Sequence, residues 1–181
     1  MNPSLVLTLP GWHNSGPSHW QSQWERQHGY LRVEQHDWER PLRGDWTARL
    51  EEALQQQTTQ TQQPCVLVAH SVACLLVAAW AAHSRNTHWV KAALLVAPCD
   101  AEREELRPVL TSWSPVAMLG LPFKSQVIAS QNDPYCSVER AQAFAQAWGA
   151  EFIDCGACGH INAESGLGDW PQGHQMLMRL L

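Results

Sequence analysis

A run of apolar residues from Cys65 to Ala69 constrains the fold more than any other feature of the sequence. The run follows Pro64 directly and shows no alternation of apolar and polar residues. Continuous apolar runs of this length are typical of strands buried on both faces of a parallel sheet. From Ser71 to about His83 the apolar residues follow a helical spacing. We therefore predict a central strand that passes through a short turn into a helix.

The same alternation of strand and helix patterns continues along the rest of the chain. Further strands are predicted at residues 4–9, 31–36, 90–97, 124–130 and 151–155. Further helices are predicted at residues 18–28, 46–57, 138–148 and 172–181, the first two capped by Ser18 and Asp45. This alternation indicates an α/β fold with about six mostly parallel strands and helices on both faces. We expect one domain over residues 1–181, with ligands bound beyond the carboxyl ends of the strands.

The composition argues against several classes of function. Seventeen acidic and twelve basic residues give a formal charge of −5 without any cluster of Lys or Arg, so we expect no nucleic-acid partner. The opening Met1–Val6 lacks the basic region of a signal peptide, and the apolar run Ala73–Ala82 is too short to cross a bilayer. We therefore expect a soluble cytoplasmic protein that makes no use of a membrane. The six cysteines of such a protein are expected to be buried thiols rather than disulfides.

Three polar blocks follow three different predicted strands, so their side chains should meet at one edge of the sheet. They contain Ser71 within Ala-His-Ser-Val-Ala, Asp133 within Ser-Gln-Asn-Asp-Pro, and His160 within Cys-Gly-His-Ile-Asn. Each residue alone has a structural explanation: a helix N-cap for the serine, a turn for the aspartate and a solvated loop for the histidine. Together, in the order Ser, Asp, His, they match the chain order of the α/β-hydrolase fold. The sequence therefore predicts a catalytic triad, with a nucleophile elbow at Ser71.

The chemistry of such a triad requires each of these residue types. A serine hydroxyl is a weak nucleophile until a base such as His160 takes its proton, and Asp133 would fix the tautomer of that base. The developing oxyanion needs backbone N–H donors. We predict that Val72, directly after the nucleophile, and Trp12, on the loop after the first strand, supply them. The elbow departs from the usual Gly-x-Ser-x-Gly pattern because alanine, which is also small, stands at both glycine positions.

Two further residues are candidate substrate contacts. His13 lies on the predicted oxyanion loop, and Trp113 lies in residues 101–122, a long connection that is a candidate cap. Asp100 is the alternative acid, because it also follows a predicted strand. His70 is interpreted as a packing residue, because its side chain should point away from the tip of the elbow.

The sequence contains little evidence of a metal or cofactor site. Cys155 and Cys158 precede His160 at a spacing that resembles part of a zinc site. A structural zinc site needs four ligands, and no second Cys/His pair stands at a suitable spacing. No glycine-rich dinucleotide fingerprint follows the first strand. We therefore expect neither a metal nor a cofactor.

Two blocks of the sequence resemble a known family. Residues 127–135 and 159–171 are similar to the small serine hydrolases related to retinoblastoma-binding protein nine and to their bacterial relatives, and the likeness extends to His36-Asp37-Trp38. The resemblance implies a compact α/β-hydrolase fold without a large lid. It also implies that the triad falls on the serine, aspartate and histidine named above.

The predicted function is hydrolysis of a small-molecule substrate. We expect a carboxylic ester with a small to medium acyl group, with amides or thioesters as alternatives. Members of the resembled family are described both as hydrolases and as binding proteins. A protein-binding module with little catalysis is therefore the alternative function, and the sequence leaves the oligomeric state open.

Overall fold

A single parallel sheet forms the centre of the computed structural model, which describes residues 5–181. Its strands are β1 (Leu5–Leu9), β2 (Leu31–Arg32), β3 (Cys65–His70), β4 (Val90–Val96), β5 (Lys124–Ala129) and β6 (Glu151–Asp154). They lie in the order β2-β1-β3-β4-β5-β6, and every pairing is parallel. The predicted six-stranded α/β architecture is therefore confirmed. Residues 1–4 lie outside the described range. They include Ser4, at the start of the first predicted strand, and most of the Met1–Val6 segment on which the signal-peptide prediction was based.

Helices cover both faces of this sheet. They are α1 (Trp20–His28), α2 (Arg43–Thr61), α3 (Val72–Ala81), α4 (Arg107–Leu110), α5 (Val138–Trp148) and α6 (Pro171–Met178). One face packs against α2, α3 and α5, and the other packs against α1 and α6. Successive residues of a strand point to opposite faces, so Leu67 and Val68 of β3 join different apolar clusters. Over residues 5–181, none of the helices combines the length and apolar character needed to cross a membrane.

The starts of two helices differ from the sequence prediction. α1 is capped by His19, whose Nδ1 accepts a backbone N–H of the first turn, and not by Ser18. α2 begins at Arg43, so Asp45 lies inside the first turn rather than at the cap. A carboxylate at this position still interacts favourably with the helix dipole. The aspartate therefore favours the same helix end without capping it.

Two elements also differ from the prediction in length. α2 continues through the Gln/Thr-rich run to Thr61, because Thr58 is buried and its hydroxyl donates to a carbonyl one turn back. β2 contains only two residues instead of the six predicted. One more hydrogen bond, from Val33 N–H to the carbonyl of Thr8, follows before the chain leaves the sheet. The short β2 lies at the sheet edge, where short strands limit pairing with other chains.

Candidate active site

A cleft of about 530 Å³ lies at the carboxyl edge of the sheet. Its walls come from the loop after β1 and from the segments that follow β3, β4, β5 and β6. The lining residues are Trp12, His13, Asn14, His19, His70, Ser71, Val72, Cys99, Leu106, Leu110, Tyr135, His160, Asn162, Ala163 and Glu164. Ligands of open α/β sheets bind at this edge, in cavities of about 300–1,000 Å³. The cleft therefore has the place and the size of a small-molecule site.

Ser71 occupies a sharp turn between β3 and α3. Its backbone has φ 59° and ψ −126°. A residue with a side chain is strained in this left-handed region by about 1–3 kcal/mol. The N–H of Ser71 donates to the carbonyl of Val96 on β4 at 3.0 Å, which holds the turn against the sheet. A strained strand-turn-helix of this kind lifts the serine hydroxyl out of the sheet.

A continuous hydrogen-bonded path joins the three side chains of the predicted triad. Nε2 of His160 lies 2.9 Å from Oγ of Ser71. Nδ1 of the same ring lies 3.0 and 2.9 Å from the two carboxylate oxygens of Asp133. The side chains of the histidine and aspartate are only 8% and 3% exposed, so water screens their interaction little. Asp100, the alternative acid, pairs instead with Arg140 at 3.3 Å.

Short polar side chains connect the turn after β5 to the loop after β6. Oγ of Ser130 accepts the N–H of Cys158 at 2.8 Å and donates to Oδ1 of Asn132 at 2.9 Å. The same Oδ1 accepts the N–H of Gly159 at 2.7 Å. The residues directly before the aspartate and directly before the histidine are thereby fixed to each other. This connection sets the distance between the two loops independently of the contact between the aspartate and the histidine.

Two buried imidazoles pack beside His160. Nε2 of His70 lies 2.9 Å from the carbonyl oxygen of His160, and it carries a proton because a carbonyl can only accept. The ring of His19 lies edge-on to His70, with centroids 4.8 Å apart. Burial lowers the pKa of His70 well below its usual value, and burial, together with the charge of Arg32, lowers the pKa of His19 to about 3. Both rings are therefore neutral near pH 7, and the ring of His70 holds the loop of His160 through its hydrogen bond.

The loop after β1 approaches Ser71 most closely at Gly11. A Cβ built on Gly11 would lie 2.8 Å from Cβ of Ser71 and 3.0 Å from the carbonyl oxygen of His70. Trp12 and Val72, the two predicted oxyanion donors, line the cleft on either side of this contact. Among residues 5–181, no acceptor is found for the backbone N–H of either residue. The assignment of these two N–H groups as oxyanion donors stays a prediction.

The two predicted substrate contacts lie in different environments. His13 lines the cleft, and its Nδ1 lies 3.0 Å from a carboxylate oxygen of Glu39 at an exposed position. Trp113 does not line the cleft, and the prediction that it contacts substrate is wrong. Its side chain is buried, and its Nε1 donates to the carbonyl of Pro41 at 2.6 Å. Burial of the large indole in the core, with its N–H satisfied, places it away from the cleft.

Residues 101–122 contribute leucines to the cleft instead. This segment contains α4 and a 3-10 helix at Thr111–Trp113, and its Leu106 and Leu110 line the cleft. Tyr135 also lines the cleft, and the centroid of its ring lies 4.6 Å from the centroid of the His160 imidazole. These three residues were not predicted from the sequence. Only the tyrosine carried a signal, because it belongs to one of the blocks that resemble the serine hydrolases.

Neither the cysteine that lines the cleft nor the Cys155–Cys158 pair offers an alternative to the chemistry of the serine. Cys99 lines the cleft, but burial raises the pKa of its thiol, so it is a poor competitor to the serine as nucleophile. Burial also raises the pKa of Cys155 to about 12, and Sγ of Cys158 donates to the carbonyl of Cys155 at 3.1 Å. In the part of the chain that the structure describes, no group of three or more His, Cys, Asp or Glu side chains could hold a metal ion.

Known proteins are similar to this chain in sequence and in fold. The family described as serine hydrolase matches residues 6–179. A YdeN-like hydrolase from Pectobacterium atrosepticum is 32% identical, with a TM-score of 0.83 over 98% of this chain and 90% of that chain. The ydeN gene product of B. subtilis is 18% identical, with a TM-score of 0.75 over 98% of both chains. Esterase 2 of Thermogutta terrifontis, in its apo form, is 17% identical, with a TM-score of 0.67 over 96% of this chain and 81% of that chain.

No curated protein sequence matches the chain. The family match nevertheless covers almost all of it, and the P. atrosepticum structure is similar over the same length. The two more distant structures share the α/β-hydrolase fold. The resemblance noted in the sequence is thereby confirmed: the chain belongs to the serine hydrolase family, and it is an enzyme of the hydrolase type.

Proposed function

We propose that this enzyme is a serine esterase in which Ser71 is the nucleophile, His160 is the general base and Asp133 is the acid that orients the base. The main observation behind this proposal is the continuous hydrogen-bonded path from the serine hydroxyl, through both ring nitrogens of the histidine, to a buried carboxylate. When Nδ1 donates its proton to the carboxylate, Nε2 is left as an acceptor that faces the hydroxyl. This is the arrangement that removes a proton from a serine as it attacks.

The reaction then has two halves. In the first, Oγ of Ser71 attacks the carbonyl carbon of the ester while its proton moves to Nε2 of His160. The imidazolium, stabilised by Asp133, gives this proton to the leaving oxygen, the bond between carbon and that oxygen breaks, and an acyl-enzyme remains. In the second, water attacks the acyl carbonyl and gives its proton to Nε2. That proton returns to Oγ as the carboxylic acid leaves.

We assign the oxyanion donors to the backbone N–H groups of Trp12 and Val72. Val72 is the first residue of α3, where a backbone N–H has no partner within the helix. Gly11 lies close to Ser71, and the next residue, Trp12, lines the same cleft. Each donor of this kind contributes about 2.7–4 kcal/mol to stabilisation of the transition state.

The proposed substrates are carboxylic esters with small to medium acyl groups. Leu106 and Leu110 give the cleft an apolar wall suited to an acyl chain, and the volume of about 530 Å³ suits a small molecule. Amides and thioesters pass through the same acyl-enzyme and are the alternatives. Another structure of T. terrifontis esterase 2 contains butyrate, which makes butyryl esters a sensible first choice for assay.

Hydrolysis of p-nitrophenyl acetate and butyrate by the wild type and by Ser71→Ala tests the proposal. Labelling by a fluorophosphonate, which reacts with activated serines, is measured in parallel. We expect the variant to lose labelling and to lose about 10⁴-fold or more in kcat. Ser18→Ala is the control, because Ser18 is exposed and does not line the cleft, and it should retain both properties.

Two outcomes would contradict the proposal. Equal labelling of the wild type and Ser71→Ala would place the nucleophile elsewhere. A folded wild type that neither hydrolyses these esters nor reacts with the fluorophosphonate would refute the esterase function. It would make partner binding the leading alternative.

A further inference from the structure

The position of His160 determines which side of the cleft receives the leaving group. Its Nε2 has to reach both the hydroxyl of Ser71 and the leaving oxygen, so the leaving group lies on the same side as the imidazole. Residues 162–164 follow the histidine after one intervening residue, and they line the cleft. The ring of Tyr135 lies on this side as well, 4.6 Å from the imidazole. A leaving group would therefore contact the tyrosine and residues 162–164.

Glu164 is held on this side by a short capped turn. Oδ1 of Asn162 accepts the N–H of Glu164 at 3.1 Å, and the N–H of Asn162 donates to Oγ of Ser165 at 3.1 Å. These bonds form a capping box at the start of the 3-10 helix Ala163–Ser165. The backbone that carries the carboxylate is thereby fixed before any substrate arrives.

Glu164 is an exposed acidic residue among those that line the cleft. The residues that line the cleft include neither Lys nor Arg. Within residues 5–181, Glu164 forms no ion pair. His13, at the same cleft, is already paired with Glu39. A leaving group that carries a phosphate or carboxylate would be repelled here, and a cationic one would be attracted.

Tyr135 supplies a second and independent feature that favours a cation. Tyr135 is 40% exposed and lines the cleft, so a bound ligand can reach it. Aromatic faces attract ammonium groups, and quaternary ammonium ligands in particular are bound in this way. An acidic residue and an aromatic residue that both line the cleft are the two groups that would attract an ammonium group there.

We infer that this enzyme prefers esters whose alcohol carries an ammonium group, with Glu164 and Tyr135 as the residues that determine this specificity. The inference rests on the esterase function proposed above and extends it from the acyl group to the leaving group. Exposed ion pairs and cation–π contacts of this kind each contribute about twofold to fivefold in binding.

A pair of esters of the same shape but different charge tests the inference. Butyrylcholine carries a trimethylammonium group, and 3,3-dimethylbutyl butyrate has a neutral tert-butyl group in the same place. The intrinsic reactivities of the two esters differ, so the measured quantity is how the ratio of their kcat/KM values changes between variants. We expect Glu164→Gln to lower this ratio about twofold to fivefold, and to do so less at high salt. Glu52→Gln is the control, because it removes the same charge from an exposed position on α2.

Variants of the tyrosine test the second feature. Tyr135→Leu should lower the ratio about twofold to fivefold, whereas Tyr135→Phe, which keeps the ring, should retain it. The ratio corrects for any general effect of these substitutions on the neighbouring imidazole, because such an effect changes both esters alike.

The outcomes separate this inference from the function on which it rests. Equal ratios in the wild type, Glu164→Gln and Glu52→Gln would overturn the inference and leave the esterase function intact. Turnover of p-nitrophenyl butyrate without turnover of either matched ester would also overturn it, because the cleft would then exclude this leaving group. A folded wild type that hydrolyses no ester and reacts with no fluorophosphonate would overturn the proposed function, and the inference with it.

Discussion

Substitution of Gly11 by alanine tests the oxyanion assignment at the most crowded contact of the site. The added Cβ would lie 2.8 Å from Cβ of Ser71 and 3.0 Å from the carbonyl oxygen of His70. Non-bonded carbon atoms rest about 3.5–4.0 Å apart, so the loop or the serine has to move by roughly 0.7 Å or more. The serine is fixed between β3 and α3, and the carbonyl belongs to the buried strand β3. The loop after β1 is therefore the part that moves.

A shift of this size carries the N–H of Trp12 away from the position where the oxyanion forms. Loss of one oxyanion donor lowers kcat about 10²–10³-fold, and a misplacement of about 1 Å can cost about 10²-fold. We therefore expect Gly11→Ala to lower kcat for p-nitrophenyl butyrate about 10²-fold. KM should change much less, because the donors act mainly on the charge that develops in the transition state.

Gly16→Ala is the matched control for this experiment. Gly16 lies on the same loop, has no positive φ, and would carry a Cβ with no neighbour within 4 Å. It should retain the kcat of the wild type. Thermal unfolding followed by circular dichroism establishes that both variants are folded. A folded Gly11→Ala enzyme with the kcat of the wild type would refute the assignment of the Trp12 N–H to the oxyanion.

Three further substitutions test other parts of the site. Asp133→Asn should lower kcat for p-nitrophenyl butyrate by up to about 10⁴-fold, because the imidazole loses the partner that fixes its tautomer and stabilises its charged form. Asn132→Ala removes the acceptor of the Gly159 N–H and loosens the loop of the base, so kcat should fall about tenfold with KM within about twofold. His19→Asn keeps a side chain that caps α1 but removes an imidazole whose pKa is lowered by burial to about 3. Below about pH 6.5 the unfolded chain binds a proton at this histidine and the folded chain does not. The wild type should therefore lose up to about 1.4 kcal/mol of stability per pH unit from this group between about pH 6 and pH 4, and the variant should lose correspondingly less in thermal unfolding.

Each of these predictions has its own control or contrary outcome. Asp100→Asn should retain turnover, and a wild-type rate in Asp133→Asn would move the acid to Asp100. Gln131→Ala removes an exposed hydrogen bond at 2.9 Å from the turn after β5 to Asp154 at the end of β6. It should keep its kcat, and an equal loss in Gln131→Ala and Asn132→Ala would reduce the role of Asn132 to general loop stability. Parallel stability curves for the wild type and His19→Asn between about pH 6 and pH 4 would contradict the proton linkage.

The parallel α/β architecture, and the placement of the three polar side chains at one edge of the sheet, could be predicted because both follow from local patterns. The apolar run of residues 65–69 has no polar side chain to present to solvent, so it requires a strand covered on both faces, and it became the fully buried β3. The change to helical spacing after Ser71 located the turn. Parallel strands place all their carboxyl ends at one edge of the sheet. The side chains that follow β3, β5 and β6 were therefore expected at that edge, whereas their contacts also depend on the order of the strands and on the loops that carry them.

The walls of the cleft could not be predicted in this way, because they depend on contacts between distant segments. Trp113 lies in the segment that borders the cleft, yet its indole is drawn into the core by a hydrogen bond to the carbonyl of Pro41 and by an edge-on contact with Trp46. Leu106 and Leu110 have the spacing of any helix face. Which face of α4 turns to the cleft is set by how the helix docks, and the sequence of the segment carries no sign of that.

The two alanines at the elbow show which positions near Ser71 require glycine and which require only a small side chain. Ala69 belongs to β3 and Ala73 to α3, and neither has a positive φ. The left-handed conformation falls on Ser71 itself, with φ 59°. Both alanines are fully buried, so their positions require small volume rather than the conformational freedom of glycine. Gly11 is different, because a methyl group there would collide with the serine. The steric requirement of the site for glycine therefore lies in the loop that faces the elbow, outside the five residues by which such elbows are recognised.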